Sequence, residues 1–293
     1  VRSPKETSRR DFLGGLAGAF VAFRTARPSA AVPTSTRAAE PDLPLVDYHV
    51  HLDNSSLEQV LPLSRQRGVR FGIVEHAGTR ENVYPVVLSN DEDLRAYLAR
   101  LEGKGVYRGV QAEYDDWLPC FSRPLLGRLD YILTDAMTFP GRDGRRVKLW
   151  EPDAPDRVDM ADRQAFMDRF VDWHVRLLST QPIDILANVS WLPAPLAGEY
   201  DRFWTEPRIR RVVEAAARHQ VAIEISSSFR LPNLRFLRIA REANVKFCFG
   251  SNGRYPRMGQ LEYSLAMARE LGLKPADLFT PAPDGQRAVQ RRT

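Results

Sequence analysis

The stretch Asp47-Tyr48-His49-Val50-His51 decides how this chain is read. It ends the first of seven short β-like runs. On a strand, residues i, i+2 and i+4 share a face. Asp47, His49 and His51 are therefore expected to point together into the interior that the strand helps to build. Two imidazoles held by one rigid strand can share a divalent metal. Asp47 then either binds the metal directly or holds an imidazole from behind. The competing reading is a pair of hydrogen-bonded core histidines. Two of only five histidines stand here, at the end of the first strand, which favours ligands.

Outward from that stretch, β-like runs cover residues 45–50, 70–74, 107–112, 129–134, 183–188, 221–225 and 246–249. Amphipathic helical patterns separate them, over residues 56–67, 91–102, 121–128, 162–180, 206–219, 233–242 and 260–271. Strict βα alternation implies parallel strands with helices outside. Seven units, with chemical groups after nearly every strand, favour a closed barrel over an open sheet. Catalytic groups of such barrels sit at the C-terminal strand ends. One connection breaks the rhythm. Residues 140–160 show no helical period, hold Arg142, Arg145, Arg146, Lys148 and Trp150, and are expected to form a structureless loop over the barrel mouth.

The positive charge is concentrated at one end. Residues 1–40 hold seven of the 42 Lys/Arg and three of the 37 acids, so the rest of the chain is almost neutral. A near-neutral domain carries no electrostatic footprint for nucleic acid. Ser8-Arg9-Arg10-Asp11-Phe12-Leu13 resembles a twin-arginine export signal, and an uncharged run from Phe12 to Phe23 follows. That run is too short to span a bilayer comfortably. The expected organisation is a signal peptide over residues 1–31, a Pro/Ala/Thr-rich linker over 32–42 and one domain over 43–293. Passage through the twin-arginine machinery places the product in the periplasm or outside the cell; the alternative is an uncleaved tether. Cys120 and Cys248 read as two free thiols, although export would permit a disulfide.

Further candidates follow the later strands. Glu75 and His76 end the second run. Both can bind metal, but adjacent strand residues face opposite ways, so one of them is expected to point inward. Glu113 ends the third run, where a carboxylate can bind or bridge a metal. Asp135 follows the fourth as a ligand, a proton carrier or a turn cap. Glu224, between Ile223 and Ile225, points into the barrel if the isoleucines pack on helices. Asn188 and Asn252 offer amides to substrate hydroxyls. Trp117, Phe139, Trp150, Trp191 and Tyr255 each fall shortly after a strand, and are either flat walls for a ring-shaped ligand or loop packing.

The order of Asp47-Tyr48-His49-Val50-His51, Gly72-Ile73-Val74-Glu75-His76, Glu113, Asp130-Tyr131-Ile132-Leu133, Asp184-Ile185-Leu186-Ala187, Ile223-Glu224-Ile225 and Phe249-Gly250-Ser251-Asn252 resembles the PHP (polymerase and histidinol phosphatase) superfamily across residues 43–272. The resemblance implies a distorted seven-stranded βα barrel holding up to three Zn, Mn or Fe ions and hydrolysing phosphate esters. It places His49, His51, His76 and Glu113 on metal-ligand positions. Elsewhere the chain departs from the pattern. Met137 and Asn188 stand where histidines are expected, Asn252-Gly253-Arg254 replaces an Asp-x-His, and Leu52-Asp53-Asn54-Ser55 lacks a further histidine. One ion, at most two, is therefore expected.

These observations lead to an exported metal-dependent hydrolase acting on a phosphate ester or a sugar-derived anion. Its metal ligands would come from His49, His51, Glu75, His76 and Glu113, and its proton carriers from Asp135, His76 and Glu224. Arg145, Arg146, Trp150, Asn188, Trp191, Asn252 and Arg254 would bind substrate, with Arg254 supplying charge where family members use metal. Two other classes stay open: a metal-assisted carbohydrate lyase or isomerase, and a non-catalytic binding barrel. The amidohydrolase superfamily also opens with His-x-His, but expects a later histidine and aspartate that are absent here.

Overall fold

The computed structural model describes residues 43–53 and 55–292. The expected export signal and linker lie outside the described residues. Seven strands alternate with helices: β1 (Val46–Val50), β2 (Arg70–Ala77), β3 (Tyr107–Ala112), β4 (Tyr131–Thr134), β5 (Ile185–Leu186), β6 (Ala222–Ser226) and β7 (Phe247–Gly250). Every neighbouring pair is parallel, and β1 pairs with both β2 and β7, so the sheet closes. The crossovers carry helices α1 (Leu57–Arg67), α2 (Asp91–Leu101), α3 (Arg123–Leu126), α4 (Arg163–Thr180), α5 (Glu206–His219) and α6 (Leu234–Glu242), and α7 (Glu262–Leu271) follows the last strand. The fold is the seven-stranded βα barrel that the alternation implies. Among the described residues, no helix is long and apolar enough to cross a membrane.

Helix starts are chemically marked. Asp162 accepts from the N–H groups of Gln164 and Ala165 at 2.9 and 3.0 Å to begin α4. Asn90 and Asn233 do the same for α2 and α6.

Two apolar layers separate inside from outside. Phe71, Ile73, Val110, Ile132, Leu186, Ile223, Ile225, Phe247 and Phe249 belong to the layer under the helices. Tyr48, Val74, Tyr131, Leu133, Ile185, Ala187, Ala222 and Cys248 fill the barrel interior. Tyr131 fits there because two neighbours are glycine. A Cβ on Gly72 would lie 2.3 Å from its Oη, and one on Gly109 would lie 2.5 Å from its ring. Its hydroxyl donates to the Tyr48 carbonyl at 2.7 Å. Cys248 is buried, Cys120 half-buried, and both thiols are free.

Three expectations are corrected. First, β1 is not a regular strand. Asp47 pairs with Phe71 and Val50 with Ile73, so three steps along β1 match two along β2. This bulge reverses the alternation. Tyr48 is inside, whereas Val50 packs in the outer layer and Asp47 sits in register with outer-layer Phe71. Asp47 thus parts from His49 and His51. Its carboxylate accepts from Ser251 N (2.9 Å), Ser251 Oγ (2.5 Å), Gly259 N (2.7 Å) and His49 N (3.1 Å). It fastens β1 to the chain beyond β7 and is not a ligand.

Second, the 140–160 connection is ordered. Thr138–Pro140 and Arg146–Lys148 form an antiparallel hairpin, followed by a helical turn, Ala154–Arg157. Third, β5 stops at Leu186, short of Asn188. Asn188 has φ +48° and turns its N–H away from the ladder, to Glu224 Oε2 at 2.9 Å.

Candidate metal centre

The polar ends of β1, β2, β3 and β6 meet at the C-terminal mouth, and their buried side chains fall into two groups. In the first, His51 stacks on His76 with ring centroids 4.7 Å apart. His76 in turn stacks on Tyr84, 3.5 Å away and nearly parallel. Both ring nitrogens of His51, His76 Nε2 and Asp53 Oδ1 are buried and have no hydrogen-bond partner among the described residues. One donor atom each from His51, Asp53 and His76 lies within 4.8 Å of the other two. Each unsatisfied buried polar atom costs about 1–3 kcal/mol, so unpartnered atoms on three neighbouring residues are hard to explain as packing. Two imidazoles and a carboxylate fit a divalent ion and leave one coordination position open. Burial, with His76 and Arg254 nearby, holds the His51 pKa well below its ordinary value. His51 therefore stays neutral, the form a metal ligand needs.

The partners of this group are orienting residues. His76 Nδ1 lies 2.7 Å from Glu113 Oε1, while Glu113 Oε2 accepts from Tyr84 Oη (3.1 Å) and Thr138 Oγ1 (3.4 Å). Glu113, expected as a ligand, lies against the His76 ring and is not among the grouped donors His51, Asp53 and His76. Asp53 is anchored through its other oxygen: Arg254 Nε donates to Oδ2 at 2.7 Å.

The second group is a closed circuit. His49 Nδ1 lies 2.7 Å from Glu224 Oε1, and His49 Nε2 lies 3.0 Å from Gln111 Oε1. Gln111 Nε2 donates to Asp135 Oδ2 (3.4 Å), as does Asn188 Nδ2 (3.0 Å). The Asn188 N–H returns to Glu224. Both nitrogens of His49 are engaged, so the structure does not bring it into the donor set. Burial alone would lower the His49 pKa, but the Glu224 carboxylate outweighs it and raises the value. Burial, and then the charge of Glu113, push Asp135 up to about 6. Gly250 makes room for this circuit, because a Cβ there would lie 1.8 Å from Glu224 Oε1.

Glu75 lies on the opposite face of β2 from His76, as alternation requires. Its carboxylate is buried 3.9 Å from Arg100 of α2 and is pushed up to about 7, first by burial and then by the charge of Asp53. It does not join the metal donors.

The loop arginines are also corrected. Arg145 is 84% exposed, with Asp143 beside it. Arg146 donates to Asn82 Oδ1 (2.8 Å) and Asp116 Oδ2 (2.6 Å), and its charge is spent on that acid and on Glu81. With Lys148, which donates to the Val83 carbonyl, it ties the hairpin to the segment carrying Tyr84. Trp150 is exposed beside Lys148. Trp191 packs against the outer core. Trp117 and Phe139 are core residues too, and Tyr255 is exposed, so the five aromatics form no common wall. Asn252 accepts from Arg254 through Oδ1 (2.6 Å) and its carbonyl (2.9 Å).

Asp53, Gln111 and Tyr84 escaped the sequence reading. Asp53 stands in Leu52-Asp53-Asn54-Ser55, where the resemblance expects a histidine. Gln111 and Tyr84 carry no spacing signal.

No family model matches the chain, and no curated protein matches it. Among solved structures, an archaeal ribonuclease P with mature tRNA overlaps at TM-score 0.41 and 15% identity, covering 79% of this chain and 84% of that one. HpcH/HpaI aldolase from Desulfitobacterium hafniense overlaps at 0.36 and 10%, covering 82% and 96%. Neither overlap carries an argument. Histidinol phosphate phosphatase from Lactococcus lactis, solved with zinc, L-histidinol and phosphate, matches at TM-score 0.60 and 10% identity over 85% of this chain and 98% of its own. At that identity the likeness is one of fold: this chain is similar in its barrel to a phosphatase solved with zinc.

Proposed function

We propose that this chain is a PHP-like metal-dependent hydrolase with a reduced centre, holding one divalent ion on His51, Asp53 and His76. The reading rests on one observation, the grouping of His51, Asp53 and His76 at the barrel mouth, each with an unpartnered buried donor atom. A divalent ion bound there supplies a Lewis acid. Glu113 holds His76 through Nδ1, which would leave Nε2 for the ion. Asp135, at about 6, is matched to taking or giving a proton near neutral pH. Glu224 and Gln111 fix His49 beside it. The substrate is an anion, a phosphate ester or a sugar-derived acid, and the protein is exported by the twin-arginine route to the periplasm or beyond.

A non-catalytic binding barrel is the second reading. It is favoured by the pairing of His49 with Glu224 and of His76 with Glu113, which satisfies groups expected to converge. Elemental analysis of protein purified without chelator, together with phosphate-ester turnover by parent and His51→Ala, separates the two. The hydrolase reading expects about one ion per chain and turnover that His51→Ala abolishes. Turnover surviving in His51→Ala, or a parent that binds no ion, refutes it.

A further inference from the structure

Tyr84 lies on an excursion that leaves β2 and returns to it. Val87–Leu88 pairs with His76 and Ala77 at the end of β2, and the Gly78 N–H donates to the Leu88 carbonyl at 3.0 Å. Residues 79–86, which belong to neither helix nor strand, close the loop between them. The loop folds back over the last residues of its own strand, and Tyr84 comes to rest on the His76 ring, centroids 3.5 Å and planes 8° apart. His51 also stacks on His76, at 4.7 Å and 19°. Two near-parallel rings cannot share one face of an imidazole, so His76 is held between them.

Two constraints set where the free nitrogen of His76 points. A hydrogen bond at Nδ1 fixes that atom but lets the ring swing about it. A stacked ring fixes the plane. Glu113 supplies the first through Oε1 at 2.7 Å, and Tyr84 supplies the second. An ion takes the imidazole lone pair in the plane of the ring, so the plane matters as much as the bond. Tyr84 Oη donates to the other oxygen of Glu113 at 3.1 Å, which makes the two rings and the carboxylate one unit.

Tyr84 is itself seated from outside by the hairpin. Lys148 Nζ stands 3.9 Å from its ring centroid and donates to the Val83 carbonyl at 2.6 Å. Because His76 covers one face of Tyr84, the ammonium occupies the other, where the negative face of the ring attracts it. Arg146 holds the same loop through Asn82 Oδ1 at 2.8 Å.

We propose that Tyr84 is a positioning residue of the metal centre and that Lys148 is the cation that seats it: the column His51–His76–Tyr84–Lys148 sets the plane in which His76 offers Nε2 to the ion. The proposal rests on the metal reading above. Lys148 acts on the ion through Tyr84 and not on a substrate.

The test is competition titration of zinc against a fluorescent chelator for the parent, Tyr84→Ala, Tyr84→Phe, Lys148→Met, Lys148→Arg and Arg145→Ala. The Tm and the proton NMR signals of the five histidine rings are measured on the metal-free proteins. Zinc binding should weaken about tenfold or more in Tyr84→Ala and about two- to fivefold in Lys148→Met. Tyr84→Phe keeps a stacked ring and Lys148→Arg keeps a cation, so both should stay near the parent, and Arg145→Ala should not differ from it. In the metal-free parent the His76 ring protons should be shifted upfield by Tyr84, and Lys148→Met should reduce that shift. Zinc affinity unaltered in Tyr84→Ala overturns the proposal and leaves the metal reading intact, even if Tm falls, because the ring would then be packing alone. A Tyr84→Phe as weak as Tyr84→Ala also overturns it, since the hydroxyl and not the stacked plane would matter. Parental affinity and shift in Lys148→Met overturn the seating by Lys148. If Tyr84→Ala does not fold, the two Lys148 variants decide: a loss in Lys148→Met that Lys148→Arg restores supports the column, and equal losses overturn it. A parent that binds no zinc refutes the metal reading and this proposal with it.

Discussion

The two halves of the barrel mouth differ in how their polar groups are satisfied. In the His49 half, Glu224, His49, Gln111, Asp135 and Asn188 form a ring of hydrogen bonds that closes on itself. In the His51 half, both ring nitrogens of His51, His76 Nε2 and Asp53 Oδ1 are buried atoms with no partner among the described residues. His49 and His51 are two residues apart on one strand, yet one belongs to a finished network and the other to an unfinished one. Residue type and spacing nominate ligands, but the inventory of satisfied lone pairs decides among them. The satisfied half contributes rigidity, and the unsatisfied half is where a ligand's binding energy can be gained.

Substitutions that treat the halves differently can break this contrast. The largest effect is expected in the finished half. Glu224→Ala strands His49 and the Asn188 N–H in the interior, and should destabilise the protein by about 3–5 kcal/mol, measured by urea unfolding. A loss under about 1 kcal/mol would mean the ring is not structural. Next comes metal removal. Bound ion at about a hundred times its Kd adds about 2.7 kcal/mol, so chelator should lower the parent's Tm. His51→Ala plus His76→Ala should melt at one temperature with or without chelator. A chelator response that persists in that variant would move the ion elsewhere. A smaller change is expected for Glu113→Gln, which loosens the His76 ring and should weaken zinc binding about 10–100-fold in competition titrations. Unchanged affinity would remove the orienting role of Glu113.

The smallest effect concerns pH. The native Asp135 carboxyl titrates at about 6 against an ordinary 3.8. The folded state therefore binds more protons than the unfolded state between roughly pH 4 and 6. This group's contribution to stability is thus present below pH 4 and lost as pH rises through 6. If its carboxylate is the working base, turnover should rise through pH 6, and Asp135→Asn should flatten that limb. An identical profile in Asp135→Asn would assign the proton to another group.

The fold was legible because the apolar periodicity of each βα unit is strong and three of the helices begin at a capping side chain, Asn90, Asp162 or Asn233. The ends of strands were less legible, since a polar residue such as Asn188 leaves the ladder for a tertiary partner. The bulge in β1 was invisible for the same reason. Nothing local in Tyr48-His49 marks it, since it shows only in the register with β2. Histidines of the site were found by type, and His76 by its place at a strand end. Asp53 was not, because its role depends on Arg254, two hundred residues away in the chain. Arg146 misled in the opposite direction, as an arginine on a long connection reads the same whether it meets a substrate or Asp116.

Zinc-edge anomalous diffraction from crystals of the zinc-loaded protein tests the central contrast most directly. The account predicts one strong peak at about 2.0–2.2 Å from a His51 ring nitrogen, His76 Nε2 and Asp53 Oδ1, with His49 still between Glu224 and Gln111. A peak coordinated by His49, or by Glu113 in place of Asp53, would contradict it.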